Sequence, residues 1–119
     1  MASLDETRSL LFSQGLIDQR KLFSFVTAKK LPSGGWGLCA MGINGDKLVI
    51  FDADTQGLDG VVKDMLYEIP LDEVENFKGF KLWNFITVKF TWQGGRFSFT
   101  NLASKIGLYE ELKSSCKKK

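Results

Sequence analysis

Along residues 85–92 apolar Ile86, Val88, Phe90 and Trp92 alternate with Thr87, Lys89 and Thr91. A side-chain period of two describes a strand with one buried and one wet face. Gln93-Gly94-Gly95-Arg96 interrupts the pattern, and Phe97 and Phe99 resume it around Ser98. A hairpin turning on Gly94 and Gly95 places Trp92 opposite Phe97 and Phe90 opposite Phe99, all on one core face. The period then lengthens. Asn101 is a good N-cap, and Leu102, Ile106, Leu108, Tyr109 and Leu112 fall on one side of a helix with Ser104, Gly107 and Glu111 opposite.

The rest of the chain predicts one more helix and five more strands. Ser3 and Glu6 have capping-box spacing, and Leu4, Leu11 and Phe12 recur at helical intervals before Gly15, so a helix is expected over about 4–14. Lys21–Lys29 reads as the first strand, ending in the loop Lys29-Lys30-Leu31-Pro32-Ser33-Gly34-Gly35. Trp36–Ile43 and Asp46–Ala53 flank Asn44-Gly45, a strong hairpin signal. In that register Met41 faces Leu48 and Cys39 faces Ile50, while on the other side Ala40 faces Val49 and Leu38 faces Phe51. Both faces are apolar, so the N-terminal helix, a second sheet or another subunit must cover the second one. Thr55–Gly60 reads as a loop, Val61–Ile69 as a fourth strand closed by Pro70, Leu71-Asp72-Glu73 as a corner and Val74–Leu82 as a fifth strand. Trp83-Asn84 then turns into the sixth strand. Seven short antiparallel strands must hide two edges, and a bent, partly open sandwich or barrel with a helix in one corner does so.

Composition fits this. The chain has 119 residues, enough for one domain with its own core, and 44% are hydrophobic, which excludes a disordered protein. Sixteen basic and 14 acidic residues leave a net charge of +2, so attraction to nucleic acid or membrane has to be local. The acids near the N-terminus are unlike a signal peptide, and no apolar run could span a bilayer; a cytoplasmic location is expected. Cys39 and Cys116 suggest neither a disulfide framework nor a zinc site.

The sequence has no histidine, which removes the commonest general base and the Ser-His and Cys-His nucleophile arrangements. No enzymatic role and no cofactor are expected. Asp52, Asp54, Asp59 and Asp64 gather near one loop, and Asp52-Ala-Asp54-Thr-Gln56-Gly57 begins like an EF-hand loop. The bidentate acid would fall at Lys63, however, and a solvated acidic turn is the simpler reading. The pairs Gly34-Gly35 and Gly94-Gly95 are turn glycines rather than phosphate loops. Lys78, Lys81 and Lys89 with Trp83 and Phe85 form a faint nucleic-acid pattern, read here as a solvated strand face, and no nucleic-acid partner is expected.

Residues 20–113 resemble the pleckstrin-homology-like superfold, in particular bacterial pleckstrin-homology-like and GRAM-type domains. The resemblance rests on the strand order, on Tyr67-Glu68-Ile69-Pro70-Leu71-Asp72-Glu73-Val74 at the fourth-to-fifth strand corner, and on Arg96-Phe97-Ser98-Phe99-Thr100 before the last helix. It implies a mainly β, seven-stranded domain over 1–119, with a helical extension at 1–15, strands over 20–100 and a capping helix over 101–115. It also implies two functions. One is capture of a phosphoinositide or other acidic lipid at the open end, where Lys29, Lys30, Lys63 and Arg96 are candidates. Trp36-Gly37-Leu38 brings no basic residue to that end, and Asp54 and Asp59 oppose an anion there. The other is protein binding or self-association into an oligomer, with Leu38, Ala40, Val49, Phe51, Trp83 and Phe85 as candidate interface residues. The expected role is a non-enzymatic interaction module, with weak lipid binding as the alternative.

Overall fold

A computed structural model describes residues 4–19, 22–32, 34, 37–56, 59–82, 85–103 and 107–115. Ser3 of the expected capping box, Trp36, the Trp83-Asn84 turn, Ile106, Cys116 and the Lys117–Lys119 tail lie outside these residues. The elements are α1 (Leu4–Ser13), β1 (Phe23–Lys30), β2 (Gly37–Asn44), β3 (Lys47–Gln56), β4 (Asp59–Pro70), a 3-10 turn (Leu71–Glu73), β5 (Glu75–Leu82), β6 (Phe85–Trp92), β7 (Gly95–Ala103) and α2 (Leu108–Ser115). The strands form one antiparallel sheet in the order β4-β3-β2-β1-β7-β6-β5, curled into a half-barrel.

The chain itself forces the curl. The edge strands β4 and β5 are consecutive, and Pro70 and Glu75 are joined only by the 3-10 turn and Val74. Five residues reach at most about 17 Å, whereas the edges of a flat seven-stranded sheet lie about 29 Å apart. The sheet must therefore roll until its edges approach at this corner. The corner is held by Trp92, whose indole Nε1 donates to Glu73 Oε1 at 2.9 Å, and by Val74 and Leu71, which are buried.

Inside the curl lie Val26, Met41, Ile50, Ile69, Val88, Phe90, Phe97 and Phe99, closed at one end by Leu108 and Leu112 of α2. The Phe90 and Phe97 rings stack at 4.8 Å, and Tyr67 meets Phe97 edge-on at 4.9 Å, linking β4 to β7 across the interior. Gly79 lets α2 approach β5: a Cβ there would come within 2.2 Å of the Tyr109 ring. A second cluster lies on the outer side of β1–β3, where Leu11 of α1 and Ile17 cover Phe23, Ala40, Val49, Phe51 and Ala53. The helix stops as expected: the Gly15 N–H donates to the Phe12 carbonyl at 3.0 Å and the Leu16 N–H to the Leu11 carbonyl at 2.9 Å.

Several local expectations change. In the β2–β3 hairpin Asn44 pairs with Lys47 and Met41 with Ile50, so Gly45 and Asp46 form the turn and the register differs by two from a turn on Asn44-Gly45. In β6–β7 Trp92 pairs with Gly95, Phe90 with Phe97 and Val88 with Phe99; the turn is Gln93-Gly94, both at positive φ, not Gly94-Gly95. A shift of two preserves every face assignment. The segment after Phe51 is not a loop from Thr55: β3 extends to Gln56, which pairs with Asp59 at the start of β4. Asp52 and Asp54 therefore lie on a strand, and no cluster of three metal-ligating residues occurs among the described residues. Asn101 is not an N-cap. It lies in β7 at φ 65, where the register to β6 shifts, and donates through Nδ2 to Thr27 Oγ1 at 3.0 Å. Leu102 is a buried strand residue and the helix begins only at Leu108.

Candidate functional site

The two halves of the sheet's outer surface differ. Over β1–β3 it is apolar and closed by α1 and Ile17, so Ala40 and Val49 are fully buried and Phe51 nearly so. These three residues, expected at a protein interface, offer no surface there. Leu38 is half-buried against the same cluster. Trp83 lies outside the described residues, and Phe85 is 54% exposed.

Over β1-β7-β6-β5 no other described element covers the outer surface, which is largely basic, with Glu75 opposite Thr91 at one end. Lys78 of β5 pairs directly with Lys89 of β6, Lys89 with Ser98 of β7, and Ser98 with Lys30 of β1. One row across four strands thus carries three lysines and a hydroxyl. The register between β1 and β7 slips at Lys29, leaving the adjacent Lys29 and Lys30 both exposed. Arg96 is two residues before Ser98 on the same face, opposite Thr91. These side chains border an open groove of about 550 Å³, lined by Lys29, Lys30, Lys78, Lys89 and Arg96 with Asn76, Thr91 and Ser98, and at its base by the strand positions of Phe90 and Phe97, whose rings face the interior. Among the described residues no carboxylate lines it. Among the described residues none of the five cations is ion-paired; the Lys47–Glu68 contact at 3.8 Å lies elsewhere, at the β3–β4 pairing.

Like charges placed directly opposite on neighbouring strands repel. The Lys78–Lys89 pair therefore adds to a positive field over the groove that an anion would neutralise. Next to the cations is a row of hydroxyls: Thr87 Oγ1 and Thr100 Oγ1 share a hydrogen bond at 3.0 Å, and Thr100 pairs with Thr27. The surface can hold a multivalent anion by charge and hydrogen bonding.

Three of the four residues expected to bind an anion, Lys29, Lys30 and Arg96, meet in the groove. The fourth, Lys63, belongs to β4, and its side chain lies outside the described residues. Sequence reasoning assigned Lys78 and Lys89 to a separate solvated face. Their membership follows from the β5-β6-β7-β1 adjacency, and the signal in the sequence was the lysine at mid-strand in both β5 and β6.

Among the described residues, the core titratable group whose ionisation is clearly displaced is Cys39, held above its usual range by burial and then by the charge of Asp52. It lies in the interior cluster, away from the groove. No helix among the described residues is long and apolar enough to cross a membrane. The chain matches no protein-family model, no curated protein and no solved structure.

Proposed function

We propose that this chain is a non-enzymatic interaction module of the pleckstrin-homology-like kind, and that it works by holding a phosphate-bearing anion in the groove between β1 and β5. The pleckstrin-homology-like reading is supported by the strand order, by the tight corner at Leu71–Glu73 and by the helix that closes the curl. The observation that carries the anion reading is the convergence of Lys29, Lys30, Lys78, Lys89 and Arg96 on one groove that no carboxylate lines among the described residues. Protein binding through the β2–β3 hairpin loses its support, because α1 already occupies that surface. An acidic headgroup at a membrane and a soluble polyphosphate present the same chemistry to these residues.

Calorimetric titration with inositol hexakisphosphate, a soluble polyphosphate, tests this. A cation near a phosphate surface contributes about 1 kcal/mol, so Lys78→Gln with Lys89→Gln should weaken binding about thirtyfold. Added salt should weaken it further. Absence of binding at low salt, or unchanged affinity in the double variant, overturns the assignment.

A further inference from the structure

The cations share their face with two exposed aromatic rings. Phe80 lies two residues from Lys78 on β5 and pairs with Thr87; Phe85 lies two residues from Thr87 on β6. The pairing from Lys78 to Leu82 is regular, so Lys78, Phe80, Phe85, Thr87 and Lys89 point to one side. That side is solvent: Phe80 is 59% and Phe85 54% exposed, while their neighbours Ile86 and Val88 are fully buried on the other side. The two rings are diagonal neighbours across adjacent strands, and about 13 Å of β6 separates Phe85 from Lys89.

We infer that this face is a platform for single-stranded nucleic acid, its phosphates on the lysine row and its bases on Phe80 and Phe85. The inference rests on the anion reading above and names its ligand. Rings on an open sheet face beside a cationic track and hydroxyl donors meet both needs of an unpaired strand, stacking and charge neutralisation. Duplex fits poorly, because its bases are already stacked and a four-stranded face about 14 Å across exceeds the major groove. A bilayer fits poorly too. Apolar side chains that anchor a surface enter it by about 5–10 Å, yet Phe80 has Lys78 about 7 Å along the same strand face and Thr87 directly beside it. Driving the rings into hydrocarbon would take charge and hydroxyls with them.

Fluorescence anisotropy with a labelled oligothymidylate of about twelve nucleotides, within the site size of known single-strand binders, tests the inference. Binding is expected at about 50 mM salt, falling steeply towards 200 mM. Phe80→Ala with Phe85→Ala should weaken it at least fivefold and leave inositol hexakisphosphate affinity unchanged. Lys78→Gln with Lys89→Gln should weaken both ligands and flatten the salt dependence. Equal affinity for duplex of the same length, an undiminished oligothymidylate affinity in the phenylalanine variant, or flotation with phosphatidylserine vesicles that the oligonucleotide does not compete away would each overturn it. Retained hexakisphosphate binding without oligothymidylate binding would sink the nucleic-acid platform alone. Loss of both would sink the groove itself.

Discussion

Cys39 shows how a single side chain reports the state of the core around it. The residue is 3% exposed, and burial, followed by the Asp52 charge, raises its pKa above the ordinary value of 9.0. The thiolate is the reactive form, so iodoacetamide should label Cys39 at neutral pH only after unfolding, as peptide mapping would show. The same shift has a consequence for stability. In the folded state the proton is held more tightly than in the unfolded chain, so this stabilisation is complete below the unfolded thiol pKa. It is lost as pH rises past the ordinary 9.0 towards the folded value, by at most about 1.4 kcal/mol per pH unit. Denaturant melts of the parent and Cys39→Ala should diverge in slope only above that pH. Rapid native labelling, or parallel pH profiles, would contradict the burial.

At the scale of elements, α1 with Ile17 decides which half of the outer surface is available. Leu11 is 4% and Ile17 1% exposed, and between them they seal Phe23, Ala40, Val49 and Phe51. Leu11→Ala should cost about 2–4 kcal/mol in chemical denaturation, through lost burial and the cavity left behind. Leu11→Glu should unseat α1 and leave a contiguous apolar patch, so light scattering should read a mass above that of the parent chain. A variant no larger than the parent would mean the hairpin is sealed by other means. That the hairpin needed a cover was legible from its two apolar faces, and so were the faces of the β2–β3 and β6–β7 residues, because alternation specifies the face; in β4 it failed, where the register shift at Phe51 sets Met65 opposite Phe51, on the other side from Tyr67. Register was not legible. Alternation is indifferent to a slip of two, and the choice among Asn44, Gly45 and Asp46 was made by distant partners: Asp18 Oδ2 accepts from the Gly45 N–H at 2.8 Å, and the Asp46 carbonyl from Leu71 N–H at 2.8 Å. Gly95 was likewise kept out of its turn in a strand position beside Pro32, where a Cβ would sit 2.5 Å from the proline ring. The last helix was placed too early because Asn suits an N-cap and a left-handed strand residue equally well, and Leu102 is apolar in either role.

At the scale of the whole molecule, a net charge of +2 conceals a strong asymmetry, because Lys29, Lys30, Lys78, Lys89 and Arg96 share one groove. Half of this site was visible in the sequence. The other half was not, since β1 and β7 are far apart in the chain and only their pairing joins Lys29 and Lys30 to the β5–β6 lysines. On the proposed anion reading, a groove that concentrates like charge should trade stability for binding. Cross-strand pairs of like charge cost up to about 1 kcal/mol, so Lys89→Thr, which also suits a strand, should raise the melting temperature of the free protein by a few degrees. Repulsion is screened within about 3 Å at 1 M salt, so the electrostatic part of that gain should fade as salt is added, leaving only the salt-independent strand preference. Inositol hexakisphosphate should reverse the order, protecting the parent more than the variant, because a ligand stabilises in proportion to its affinity for the folded state. If Lys89→Thr melts lower than the parent, or its advantage is unchanged by salt, the lysine row is relieved within the protein itself and the case for a bound anion loses its energetic basis.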